Sequence, residues 1–219
     1  MKSFAKSLFL LALLCLSLFA LPVRAQSDCF DEAQDAFDNG DYEDAIDLYN
    51  CAVDDDPENY EAYIGRANAY LLAGPLNVQS IIDYGFVYNN DIGVIEDVID
   101  DFGDRIDDNP ENFEPYLVRA FASYMLGEYD AVVDDTDEII DLNDEIALAY
   151  LLRATANQYL GETRDVDDDL EQAFDLESNN PAMYEIIALA YLQTNEYDLA
   201  VENYSAAIDE VDDDPYYYS

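Results

Sequence analysis

The chain is expected to fold as an all-α, right-handed α-solenoid of antiparallel helical hairpins, and three runs of residues carry that expectation. Tyr116, Tyr150 and Tyr184 stand 34 residues apart. Ala120, Ala154 and Ala188 keep the same step, as do Gly127, Gly161 and Asn195. An earlier pair of units repeats it from Ala33 to Ala67 and from Gly40 to Gly74. A period of this length marks stacked units, none of which buries its apolar face alone.

Residues 1–25 stand apart from the repeats. Lys2 and Lys6 precede an apolar run from Leu8 to Leu21 that only Ser17 interrupts. Val23-Arg24-Ala25 then places small or modest side chains where a signal peptidase inspects the chain. This is the pattern of a secretory signal peptide, cleaved after about Ala25. The run is too short for an ordinary transmembrane helix. Leu13-Leu14 precede Cys15 where a lipoprotein signal needs small residues. The mature chain, 26–219, is therefore expected outside the cytoplasm, secreted or periplasmic, without insertion into a membrane.

The first unit, 26–59, sets the pattern. Ala33, Ala36 and Phe37 fall on one stripe of a first helix, and Ala45, Tyr49 and Ala52 recur at i, i+4 and i+7 of a second. Small residues let the two helices approach, and the aromatic fills the space beside them. Gly40 is placed to end the first helix in the left-handed conformation, and Pro57 to stop the second. The run from Ala33 through Gly40, Ala45, Tyr49 and Ala52 to Pro57 resembles a tetratricopeptide repeat (TPR). That resemblance covers nearly all of the chain after residue 28. It implies a scaffold that holds a protein or peptide, with first helices lining a concave face.

Units at 113–146, 147–180 and 181–214 follow the same register. The last is close to the family pattern in Ala188, Tyr191, Tyr197, Ala200, Tyr204 and Ala207. The third and fourth depart from it in their second helices, where Val132 with Thr136, and Val166 with Leu170, stand at the Ala and aromatic positions. The second unit, 60–112, is longer. Asp55-Asp56-Pro57-Glu58-Asn59-Tyr60 recurs as Asp108-Asn109-Pro110-Glu111-Asn112-Phe113, 53 residues on and so 19 beyond the period. The extra residues lie near 75–93. Val78, Ile81 and Ile82 have helical spacing there. The reading is an added helix, an Asn89-Asn90-Asp91 turn, and a second helix delayed to about 94–107. Such an insertion maps to one face of a solenoid, as part of a binding face or as filling for a packing defect.

Cleavage leaves Cys29 and Cys51. An even pair in an oxidising compartment favours a disulfide. Cys29 begins the first helix and Cys51 ends the second, and antiparallel helices bring those ends together. The bridge would close a loop worth about 3 kcal/mol in chain entropy. The other reading is two buried thiols packed as small apolar groups.

Charge excludes several functions. The mature chain carries 51 acidic residues against five arginines, with no lysine and no histidine, a net charge of −46. Nucleic acid and anionic membranes are poor partners for such a surface, since phosphate contacts need cations. Histidine-based triads and ordinary zinc sites are absent, as are Gly-rich phosphate loops. No catalytic residue, resident metal or cofactor is expected. The acidic runs Asp54-Asp55-Asp56, Asp134-Asp135, Asp167-Asp168-Asp169 and Asp212-Asp213-Asp214 lack the alternation of a calcium loop. They imply diffuse association with salt cations or Ca2+.

Three arginines share one repeat position. Arg66, Arg119 and Arg153 each stand in Tyr-x-x-Arg-Ala. A cation placed alike in three units points to a structural role, pairing with second-helix carboxylates through two parallel bonds. By the resemblance, the exposed stripe of the first helices should comprise Leu117, Phe121, Tyr124, Leu151, Thr155, Gln158, Ile186 and Leu189. A groove of that kind inside an acidic shell suits a peptide with apolar anchors and basic flanks. Self-association as a structural or envelope component, with Tyr216-Tyr217-Tyr218 in the contact, is the alternative. A carboxylate-dependent hydrolase ranks last.

Self-repulsion at −46 is screened by electrolyte. The melting temperature is therefore expected to rise markedly between low and molar salt, or with millimolar calcium. A thermal melt followed by circular dichroism checks this, and a flat response would show the repulsion to be unimportant.

Overall fold

The computed structural model of the chain describes residues 28–162, 166–177, 180–193 and 195–213. The signal segment 1–25, Arg164 and the tyrosine tail 216–218 lie outside the described residues. Eleven helices and no strand occur among the described residues. In chain order they are α1 (Asp28–Asp38), α2 (Tyr42–Asp55), α3 (Tyr60–Ala73), α4 (Val78–Asn90), α5 (Gly93–Asp108), α6 (Phe113–Leu126), α7 (Tyr129–Leu142), α8 (Ala147–Leu160), α9 (Val166–Leu176), α10 (Pro181–Gln193) and α11 (Tyr197–Asp213).

Repeated residues do repeated work at the helix ends. Asn59, Asn112 and Asn180 accept hydrogen bonds from the first-turn amides of Ala62, Glu114 and Ala182, satisfying donors that the helix leaves open. Gly127 and Gly161 end α6 and α8 at φ of 80° and 78°, and Asn195 takes the same role after α10 at 65°. Between the ends, Ala33, Ala67, Ala120, Ala154 and Ala188 are fully buried. Any larger side chain there would push the paired helices apart.

The arginines read the period most clearly. Arg119 on α6 grips Asp135 of α7 with two bonds, Nε–Oδ2 at 2.9 Å and Nη2–Oδ1 at 2.6 Å. Arg153 on α8 holds Asp169 of α9 in the same way, at 2.9 and 2.7 Å. Each guanidinium also lies over the tyrosine three residues before it, 5.8 Å from the Tyr116 ring and 5.7 Å from that of Tyr150. Burial pushes the Asp135 carboxyl above the ordinary carboxylate range, and the Arg119 fork pulls it back only in part. The pair thus fixes register more than it adds stability.

Arg66 shows how the long second unit is built. Its fork closes on Asp83 of α4, with both bonds at 2.7 Å, and its ring support is Tyr63 at 5.3 Å. So α4 is the partner of α3, as α7 is of α6. The spacing of the sequence instead makes α4 the added helix and α5 the delayed partner. The structure divides that role between them. Asn50 and Asp137 stand 16 residues before Arg66 and Arg153 and accept bonds from their free Nη1 at 2.8 and 2.7 Å. Gly103 of α5 stands 16 before Arg119 and faces the same Nη1. So α5 meets α6 in the register of a second helix meeting the next first helix, while α4 keeps the pairing with α3.

Successive first helices touch, α1 with α3, α3 with α6, α6 with α8 and α8 with α10. Among the described residues, α2, α4, α7, α9 and α11 make no comparable contact with one another. The first helices therefore form the inner layer of the curve. Helices joined by short turns alternate in direction, so the single added helix reverses all later first helices relative to α1 and α3. The contacts agree. Leu71 and Leu72, at the C-terminal end of α3, line one cavity with Phe113 at the start of α6 and Leu148 at the start of α8. The α3–α4 loop crosses those helix starts, and Asn180 Nδ2 donates to the Leu76 carbonyl at 2.8 Å.

Replacing Arg119 or Arg153 by Leu leaves a buried carboxylate unpaired and is expected to cost about 3–5 kcal/mol in urea unfolding. Asp137→Asn, at an acceptor 59 % exposed, should cost no more than about 1 kcal/mol. Equal losses for the three variants would make the repeated arginines ordinary surface groups.

Candidate functional site

The sequence stripe assigned to a groove is mostly core. Leu117, Phe121, Leu151, Thr155 and Ile186 are buried, Tyr124 and Gln158 are half-buried, and Leu189 is 39 % exposed. Phe121 packs on the Tyr84 ring of α4 at 5.0 Å. The Thr155 hydroxyl donates to the Leu151 carbonyl of its own helix at 2.9 Å. Tyr124 sets its ring edge-on to Tyr129 and Tyr159, which stack on each other at 4.2 Å. Neighbouring first helices touch closely enough that these side chains fill the layer rather than line open space.

Open space lies elsewhere on the inner layer, where α5 runs beside α1 and α3. The three helices, with Tyr49 of α2, enclose a cleft of about 510 Å³. This is within the range of ligand pockets, about 300–1,000 Å³. Each wall follows from helical spacing. On α5, Val94, Val98, Phe102 and Arg105 fall on one face, with Asp97 and Asp101 beside them. On α1, Phe30, Gln34 and Phe37 face them, with Asp31, Asp35 and Asp38 at the edge. On α3, Glu61, Ile64, Gly65 and Asn68 occupy successive turns.

The floor is apolar and aromatic. Phe37, Tyr49, Ile64, Val98 and Phe102 are buried, and the Phe37 and Phe102 rings meet edge to face at 6.3 Å. Gly65 has no side chain because the Tyr49 ring lies against its backbone, in the space a Cβ would need. Burial, then the charge of Asp38, holds the Tyr49 phenol well above its ordinary range, so it stays neutral. The rim is anionic, with six carboxylates against one arginine. Arg105 Nη2 bonds Asp38 at 2.9 Å and Nε bonds Asp101 at 3.0 Å. Its guanidinium lies over Phe102 at 5.0 Å and Phe37 at 5.9 Å. The cleft can thus receive a cation with an apolar stem.

At the adjoining end of the array, Cys29 and Cys51 are joined as a disulfide between α1 and α2, with Cα atoms 5.9 Å apart. Among the described residues, the one group able to share a metal ion is Cys29, Cys51 and Asp55. Both of its sulfurs are taken up by the bridge, so no thiolate is offered. Among the described residues, no helix is long and apolar enough to cross a membrane.

Sequence reasoning found the arginine positions but not this cleft. Its walls are 65 residues apart at Phe37 and Phe102, and α5 carries no local sign of folding back on α1. The available signal was the face of α5 itself, where Val94, Val98, Phe102 and Arg105 line up with two aspartates.

No curated protein matches the chain. Among solved structures, MamA is 22 % identical over 89 % of this chain and 96 % of that one, with a TM-score of 0.46. TTC0263, a thermophilic TPR protein of Thermus thermophilus, is 19 % identical over 89 % and 95 %, also at 0.46. YrrB, a TPR protein with an unusual peptide-binding site, is 14 % identical over 84 % and 86 %, again at 0.46. The family model for the tetratricopeptide repeat matches residues 30–76 and 145–215, more than half of the chain. The protein belongs to the tetratricopeptide repeat family, whose members are generally non-catalytic scaffolds that bind proteins or peptides.

Proposed function

We propose that the chain is an extracytoplasmic scaffold that binds a protein or peptide with apolar anchors and basic flanks, and that it performs no catalysis. The acidic, aromatic-floored cleft beneath α5 carries this reading. An apolar floor within a ring of carboxylates is complementary to a hydrophobic segment flanked by lysine or arginine. The signal-like start supports a location outside the cytoplasm, and so does the bridge across the first hairpin. Diffuse cations, from salt or Ca2+, compete for the same charge.

A second reading rests on α10 and α11. Val201 and Ile208 are 65 % and 61 % exposed and Leu192 is 40 % exposed. An exposed apolar face on a helical hairpin favours self-association.

Sedimentation over a range of concentrations, paired with retention of a random peptide library on the immobilised protein, separates the two readings. The scaffold reading expects a monomer that enriches basic peptides with apolar anchors, more strongly at low salt. Concentration-dependent oligomers that retain no peptide would replace it with the structural one.

A further inference from the structure

We infer that the cleft between α1, α3 and α5 is the seat for one arginine side chain of the bound peptide, with Asn68 serving the peptide backbone beside it. This rests on the scaffold reading above and assigns its anchor. The chain already shows how the walls take a guanidinium. At one end, Arg105 lies over the Phe102 and Phe37 rings and is shared between Asp38 and Asp101. The other rim carboxylates, Asp31, Asp35, Glu61 and Asp97, form no ion pair among the described residues. They line the rest of a space of about 510 Å³. A second guanidinium entering there meets the same pairing of aromatic floor and carboxylate edge.

Asn68 supplies an independent observation. It is 4 % exposed and lines the cleft. Its Oδ1 accepts from the Tyr84 hydroxyl at 2.6 Å, which fixes the amide. Its Nδ2 makes no hydrogen bond among the described residues. That nitrogen is not among the buried unpartnered atoms of the described residues, so it is open to water and able to donate to an incoming acceptor. A guanidinium and an ammonium are donors only and cannot accept from it. A peptide carbonyl can. The site therefore offers two complementary elements, acceptors at the rim for a cation and, in Asn68 of the α3 wall, an amide donor for the backbone that carries it. Arginine fits better than lysine, since its planar fork stacks on aromatic faces and takes two carboxylate oxygens together.

The test uses the chain from residue 26 onward and two labelled peptides, identical except for a central arginine or citrulline between leucines. Citrulline keeps the shape and removes the charge. Fluorescence polarisation at low salt should show the arginine peptide bound about tenfold more tightly. The double variant Asp31→Asn, Asp97→Asn should lose about that factor for the arginine peptide and leave the citrulline peptide unchanged. Asp54→Asn with Asp55→Asn, an equal change of charge outside the cleft, should shift binding by less than about twofold. Removing like charges from so acidic a chain does not threaten its fold, and thermal melts of both variants verify this. Equal affinity for the two peptides would overturn the arginine seat while leaving the scaffold reading intact, as would equal losses in the two double variants. Free arginine amide binding as tightly as the peptide would reassign the cleft to a small cation. Retention of neither peptide would overturn both readings.

Discussion

The arginine–aspartate fork between a first and a second helix is the constraint on which the array depends. It is made three times, by Arg66 with Asp83, Arg119 with Asp135 and Arg153 with Asp169. Alanine contacts bring two helices close, but they tolerate sliding. A bidentate pair with buried carboxylates does not, because a slipped register leaves a charge in a dry place. In a chain with 51 acidic residues the difficulty is to choose which carboxylates go inside. The repeated guanidinium makes that choice, one aspartate in each of three hairpins, and the tyrosine three residues before it holds the fork in place. Among the described residues these three aspartates are the buried acidic residues, and most of the others face water, where repulsion is screened.

Much of this was legible from residue order. The step between Tyr116, Tyr150 and Tyr184 located the units, and Gly127, Gly161 and Asn195 marked the ends of α6, α8 and α10. Tyr-x-x-Arg-Ala announced a structural cation. The long second unit was legible in length and not in pairing. A recurrence 19 residues late says that a helix has been added, but neither α4 nor α5 declares which neighbour it meets. The spacing from Arg66 to Asp83, close to that from Arg119 to Asp135 and Arg153 to Asp169, was the clue, since only a second helix carries the aspartate that answers the arginine. The stripe from Leu117 to Leu189 failed as a groove for a related reason. Helical spacing tells which residues share a face, and the contact between neighbouring helices decides whether that face is open.

The inserted helix converts part of the inner layer from a wall into a cleft. Without α5, the side chains of α1 and α3 would face an open concavity with nothing opposite them. With it, Phe37 gains Phe102 as a neighbour, Asp38 gains Arg105, and a space is enclosed that has a floor, a rim and an opening. The cost is low because α5 meets α6 in the register an ordinary second helix would use, Gly103 standing where Asn50 and Asp137 stand in the other units.

The reversal of direction at α5 has a consequence for anything that runs the length of the inner layer. An uninterrupted array has one polarity, so a bound strand meets every first helix in the same sense. Here the C-terminal ends of α1 and α3, where the helix dipole is negative, share an edge with the positive N-terminal ends of α6, α8 and α10. The protein is a solenoid with a seam, two hairpins reading one way and three the other. A partner long enough to cross the seam is read in opposite senses on its two sides, so a short segment confined to one side is the natural unit of recognition.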